Sequence, residues 1–443
     1  MRTVALVALL VSVAVGPAAA EAPPTARSVG RAGAGLVSDD GLGAVLTNPA
    51  AMARRDGWRA QAGVLVVDDD ATIAADRADG ADGVARGAPT LAPMLGAQFG
   101  LGPLVLGLAW HTERGGRTLP APQADQPEDD VARLFGYRYG GISAGLRRDT
   151  LAVAAAARVG DWLALGVSAT AARVELTERR RLWAGFAGRE PVGAPARDVD
   201  VALAGTDTLV PGATFGAFIA PATLPVELAA AVGWANAATV RGTAQLAPAR
   251  TDELTVEVTD ITADRIVPSA TTASVGARTL GERFAVEAEV AAAWFADRPA
   301  PWRLLGATVV DRTGVSAALP ALPSRWSTRD HVSARAAAEL EIVPGLAWLT
   351  VGYAWRGAAS DPRVAAASTM ASHGHTVAAG LDLTTGGVTL SLGYARTLAT
   401  TQLTSRTSLG LDNPFAAGDA PVGLGALTTS RDLVGVNLEL AAD

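Results

Sequence analysis

The side chains in this 443-residue chain that could do chemistry are few. There is no cysteine, which excludes disulfides, thiolate metal sites and cysteine nucleophiles. His373 and His375 stand two apart, so on a strand both imidazoles share a face and could ligate a metal, but no third ligand lies near them. His111 and His331 are single histidines at expected strand ends, where solvent would surround them. Glu287 and Glu289 share one strand face, as do Arg335, Glu339 and Glu341. Paired carboxylates can serve as acid and base, and the same pattern also makes a polar wall of ion pairs. Asp68-Asp69-Asp70 and the acidic stretch 125–130 could bind a divalent cation or simply be solvated loops. Arg181, Leu182, Trp183 and Phe186 set a cation beside apolar and aromatic groups. An apolar groove with a positive rim would bind a molecule with an apolar body and a carboxylate, whereas the bland alternative is a loop packed on its neighbour.

The elements that must carry these groups are strands. Leu349, Val351, Tyr353 and Trp355 alternate with Thr350, Gly352, Ala354 and Arg356. The same period of two runs through Phe284–Trp294 and Val388–Tyr394. Fourteen such segments are predicted: 57–67, 91–99, 104–112, 149–158, 162–174, 211–219, 226–240, 267–279, 284–295, 331–341, 346–356, 373–383, 388–399 and 431–440. Connections alternate between short ones, such as Thr384–Gly387, and long ones, such as 175–210. An even number of strands, each about ten residues long, with loop lengths sorted to two ends, is the pattern of a transmembrane barrel. In lipid the backbone can be satisfied only by closing the sheet on itself. The expected fold is therefore all-β, a 14-stranded antiparallel transmembrane β-barrel. Glu287, Glu289, Arg335 and Glu339 should then face the lumen, and Val286, Val290, Leu349 and Val351 should face lipid.

The N-terminal region has a different character. Residues 1–20 have the charge, the apolar core and the Ala18-Ala19-Ala20 end of an export signal. No apolar run in the rest is long enough for a membrane-spanning helix. Residues 21–55 have neither helical nor strand periodicity, and five glycines interrupt Val29–Ala53. A lumen fourteen strands wide needs a filler, and this segment is the expected plug, leaving 56–443 for the barrel. A net charge of −7 argues against nucleic-acid partners.

Gly30-Arg31-Ala32, Asp39-Asp40 and Asn48-Pro49-Ala50 resemble the N-terminal hatch of FadL-type outer-membrane transporters of long-chain fatty acids and aromatic hydrocarbons. Ser274–Phe295, Trp326–Trp355 and His375–Tyr394 are similar to strand pairs of the same family. The C-terminal Leu440-Ala441-Ala442-Asp443 departs from the aromatic ending usual in such barrels. The resemblance implies a non-enzymatic channel in the bacterial outer membrane, without cofactor, that takes up hydrophobic small molecules passively. It implies outer-membrane lipid, a hydrophobic ligand and the barrel assembly machinery as partners. It also implies gating by hatch residues Gly33, Gly35, Asp39, Asp40, Asn48, Pro49 and Ala50. Two other classes are an anchor or shuttle for exported proteins and an outer-membrane hydrolase.

Overall fold

The computed structural model describes residues 25–442 apart from 40, 76–82, 87, 120–138, 140, 187–188, 190–193, 259–260, 297–299, 327, 362, 364–367, 370–371, 404–408, 411, 416–420 and 423–424. The expected export signal, Asp40 and the acidic stretch 125–130 lie outside the described residues.

Fourteen strands form one closed antiparallel barrel. They are β1 (Trp58–Ala75), β2 (Thr90–Leu101), β3 (Leu104–Gly115), β4 (Ser143–Val159), β5 (Leu163–Trp183), β6 (Asp198–Ile219), β7 (Val226–Ala235), β8 (Ala270–Leu280), β9 (Phe284–Phe295), β10 (His331–Val343), β11 (Ala347–Arg356), β12 (Gly374–Thr385), β13 (Val388–Leu403) and β14 (Gly425–Ala442). Each pairs with the next, and β1 pairs with β14 from Trp58↔Ala442 to Ala75↔Gly425, which closes the ring. No edge remains to be satisfied within the ring.

The short connections turn on glycines whose backbone only Gly adopts freely. Gly102, Gly160 and Gly345 have φ of 66°, 72° and 69°, and β12 and β13 are joined by Gly386-Gly387, at 56° and 80°. Outward positions carry large apolar side chains open to the surroundings, among them Val286, Val290, Leu349 and Val351. Inward positions of the same strands hold the buried Glu287, Glu289 and Glu339. The facing expectation is met, and the apolar outer surface is of the kind that lipid requires. Trp58, Trp234 and Trp355 are exposed on the outer face. Trp348 instead falls on the inward parity of Thr350 and Gly352.

At the long-connection end the strands continue past the expected barrel. β5 and β6 remain paired from Leu163↔Ile219 to Trp183↔Asp198, with a bulge between Ala172 and Val174. The sequence pattern placed a loop over 175–210; most of it is this extended hairpin. Two segments expected as single strands are broken. β7 stops before Asn236, and Ala238–Pro248 leaves the wall to pair with the outer half of β6. Ala263–Val267 is separated from β8 by Pro268-Ser269 and pairs with Ala238–Val240 and beyond. With the small sheet Leu254–Val258, Ala307–Asp311 and Ser316–Ala318, these pieces enclose a second apolar core. Trp302, Leu182, Val199, Val201 and Val309 are among its buried members.

Candidate functional site: the plugged lumen

Residues 25–39 and 41–54 lie inside the ring, folded as α1 (Ala26–Gly30), α2 (Leu42–Thr47) and a 3-10 turn, Pro49–Arg54. Thr25 caps α1 with a reciprocal bond to Ser28, because its hydroxyl accepts from the Ser28 amide at 3.1 Å. After α1 the chain reverses through Ala32 (φ 55°) and Gly33 (φ 86°), and the Gly33 amide donates to the Ser28 carbonyl at 2.7 Å. Val29, Leu36, Val37, Leu42, Val45 and Met52 pack on Leu65, Met94, Val105, Phe218 and Leu433 of the wall.

Two features hold this plug. First, wall glycines let backbone approach backbone. A Cβ at Gly166 would stand 2.4 Å from the Ala50 nitrogen, and one at Gly352 would be 2.3 Å from the Arg31 carbonyl carbon. At Gly393 it would be 2.1 Å from the Ala26 oxygen, and at Gly435 2.7 Å from the Ala26 Cα. Second, the inward carboxylates are occupied by the plug. Glu339 binds Arg31 of the plug and Arg278 of β8. Glu289 accepts from Arg335 at 2.6 Å and from the amides of Gly35 and Leu36 at 3.3 Å. Glu287 accepts from the Val37 amide at 2.9 Å, and Glu227 accepts from Arg54 at 2.8 Å. Glu287 and Glu289 were the carboxylates with the spacing of an acid–base pair. Their oxygens instead receive plug amides and guanidinium groups.

The hatch residues singled out in the sequence converge here. Asn48 is buried, sits outside the α region that Pro49 disfavours (φ −148°, ψ 87°), and donates through Nδ2 to the Leu36 carbonyl at 2.9 Å. It ties the two halves of the plug together. Pro49 opens the 3-10 turn, and Ala50 rests on Gly166. Asp39 is buried and accepts from the Gly41 amide at 3.1 Å. Gly35 sits against Asp39, and Gly33 against the Arg335 side chain.

The other candidates are placed differently. Leu182 lies in the second apolar core, and Trp183 is also buried, so both are closed from solvent. Arg181 bonds Asp198 at 3.2 Å, and Phe186 stacks on Phe415 with centroids 4.7 Å apart. The stretch is strand end and core, so Leu182 and Trp183 line no open groove. Arg265 reaches into the same region and bonds Glu178 at 2.8 Å, and burial pushes its guanidinium down to about 10 despite that carboxylate. The Asp68-Asp69-Asp70 run is part of β1 rather than a loop, and Asp69 takes Arg431 through two 2.7 Å bonds. His375 accepts or donates at Nδ1 to the Tyr353 hydroxyl at 2.7 Å on the exposed outer face. Among the described residues no group of three acidic or histidine side chains could hold a metal ion. His331 is bonded to the Arg329 carbonyl and stacks on Phe295. His111, expected at a solvated strand end, is buried in the lumen.

That histidine lines a chamber of about 160 Å³ on the long-connection side of the plug. Gly33, Gly35, Leu36, Asp39, Leu46 and Thr47 form its plug side. Its wall is rich in hydroxyls, from Thr150, Thr170, Thr214, Thr272, Ser274 and Ser333. Sequence reasoning missed the chamber. Its signal was a set of threonines and serines at inward parity on neighbouring strands, one or two steps beyond the glycines that touch the plug.

The fold is similar to that of a FadL homologue from Pseudomonas aeruginosa, with TM-score 0.67 and 14% identity over 94% of this chain and 98% of that one. It is also similar to the toluene transporter TodX of P. putida, with TM-score 0.66, 14% identity and 95% and 98% of the two chains covered. The toluene transporter TbuX of Ralstonia pickettii gives TM-score 0.63, 15% identity and the same coverage. No protein-family model and no curated protein sequence matches the chain.

Proposed function

We propose that this protein is an outer-membrane channel for passive uptake of hydrophobic small molecules. The observation that carries the reading is a chamber resting on a plug inside a closed barrel with an apolar outer face. In this reading residues 1–20 are an export signal, 21–55 the hatch and 56–443 the barrel, folded into the membrane by the barrel assembly machinery. The short turns face the periplasm and the extended strands face outward. Ligand collects at the outer end, enters the chamber and leaves past a plug that shifts around Gly33, Gly35, Asp39, Asp40, Asn48, Pro49 and Ala50. No reaction is catalysed, and the inward carboxylates serve as plug anchors.

The fold similarity to a FadL homologue and to toluene transporters supports the reading. A crosslink tests it. A Cβ at Gly276 lies 3.1 Å from Val37 Cγ2, so cysteines at positions 37 and 276 should bond in a chain that has no other thiol. The oxidised protein should fail to take up hydrophobic probes into proteoliposomes, and reduction should restore uptake. Deleting 29–47 should leave a folded barrel that passes small polar solutes. Undiminished uptake with the crosslink confirmed would remove the plug from the mechanism and favour the protein-anchoring role.

A further inference from the structure

The outer face of the barrel carries an apolar groove of about 470 Å³, over the strands from β14 through β1 to β4. Two rows of paired residues shape it. In one, Leu440, Ala60, Ala97 and Leu108 stand side by side on β14, β1, β2 and β3. In the next, Leu438, Ala62, Leu95 and Trp110 do so on the same strands. The alanines make a floor, and the leucines of β14 rise on one flank, with Leu108 and Trp110 on the other. Among the described residues that line the groove, none is ionisable. Gln61 turns its amide to the lumen, where Oε1 accepts from the Leu42 amide of the plug at 2.9 Å. The groove therefore has nothing to hold a headgroup or a carboxylate, and it suits an alkyl segment alone.

Its position says where that segment comes from. The groove is continuous with the exposed apolar band, since Leu95, Leu108, Leu438 and Leu440 belong to both. It also lies near the short-turn end. Trp58 opens β1 and is exposed on the same face two residues before Ala60, and an indole there marks the membrane interface. A lipid with its headgroup at the level of Trp58 would lay its tail over Ala60 and Ala62. Lipid tails are as apolar as leucine, so hydrophobicity does not choose between the groove and the rest of the face. Packing does. A tail bridging the flanks would leave the alanine floor without contact atoms, whereas a tail lying in the groove touches the floor and both flanks.

We propose that this groove holds the acyl tail of one phospholipid from the leaflet at the short-turn side, retained while lipids over the rest of the outer face exchange. The site needs the barrel in a bilayer and does not depend on what the lumen passes.

The test is native mass spectrometry of the full-length protein, reconstituted in palmitoyl-oleoyl phosphatidylcholine vesicles and then extracted and washed in detergent. The wild-type chain should keep one phospholipid. Ala62→Phe with Ala97→Phe fills the floor and should lower the fraction of chains carrying lipid about tenfold, the scale of roughly ten lost atom contacts. Ala230→Phe with Ala288→Phe, at exposed outward positions of β7 and β9, should leave that fraction unchanged. Leu108→Ala with Leu440→Ala removes a flank on each side and should also release the lipid, which keeps the proposal open to refutation if the floor variant does not assemble. Circular dichroism reports barrel integrity in each. A wild-type chain that keeps no phospholipid would overturn the proposal, as would equal retention in a folded floor or flank variant. A detergent molecule held in place of the lipid, or a dimer that the floor variant loses, would assign the groove to another occupant and overturn it too.

Discussion

Glu339→Ala is the sharpest perturbation of the plug. Glu339 holds the Arg31 guanidinium, which is fully buried and whose Nε and Nη1 have no other hydrogen-bond partner. Arg278 also loses Glu339 but keeps Glu227 at 3.3 Å, so the cost falls on Arg31. Removing one partner of a buried ion pair costs about 3–5 kcal/mol, because the other charge is left stranded. At about 1.4 kcal/mol per factor of ten, docking of α1 should weaken by roughly two to four orders of magnitude. The barrel's own ladder is untouched, so the loss should appear as plug undocking rather than unfolding. Ser38→Cys supplies the only thiol, at a buried plug position. Its labelling by a bulky maleimide should be at least about a hundredfold faster in the Glu339→Ala background. Arg31→Met with Glu339→Leu should slow labelling again, since well-packed apolar residues replace a buried pair at little cost. Equal labelling rates with and without Glu339 would refute the argument that this pair holds the plug.

Three further outcomes are expected. Val290→Arg, which puts a guanidinium on the outer face, should lower folding yield in lipid vesicles by about 2–4 kcal/mol if the site is near the midplane; an unchanged yield would mean that face does not meet lipid. Trp302→Ala should destabilise the second core by about 3–5 kcal/mol, seen as new protease cleavage at the long-connection end while the barrel stays resistant. Asp311 lies in a loop hairpin. Burial would raise its pKa, but bonds from the Thr313 hydroxyl and the Val315 and Thr313 amides outweigh burial and hold it below the ordinary value. Its contribution to the hairpin is therefore present above the ordinary carboxylate range and lost as pH falls through the depressed value. Hydrogen-exchange protection of Thr313 and Val315 should drop in acid, and Asp311→Asn should remove that pH dependence.

The sequence exposed the barrel because lipid outside and polar groups inside impose a strict period of two on every strand. All fourteen strands could be read for that reason. Beyond the membrane-facing band the constraint lapses. In Leu176, Glu178, Arg180 and Leu182 the buried face of β5 mixes apolar residues with ion-paired ones, so alternation of hydropathy no longer marks a strand. The breaks at Asn236 and Pro268 were legible as turn chemistry but were submerged in longer alternating runs. The plug was legible as irregular sequence, and its anchors as inward charges. Which charge meets which plug amide was not, since Glu289 and Gly35 are joined only by the closed ring. A polar wall alone suggests that arginine in place of Glu289 would be tolerated, but the structure argues otherwise. Here it would face Arg335 and strip the Gly35 and Leu36 amides of their acceptor.

The plug's contacts also bear on the order in which the molecule can be built. Its first helix, α1, is the earliest described part of the chain, yet it rests on β12, β13 and β14, the last strands to be made. The Pro49–Arg54 turn, by contrast, rests on β4, β5 and β6. Half of the plug can therefore find its seat on a growing sheet, while the other half has no seat until the C-terminal strands arrive. Those strands also form the β1–β14 seam. Through Gly393 and Gly435 the backbone of α1 lies directly against the strands that close the seam. Sealing the ring and seating its first helix thus both wait on the same C-terminal strands.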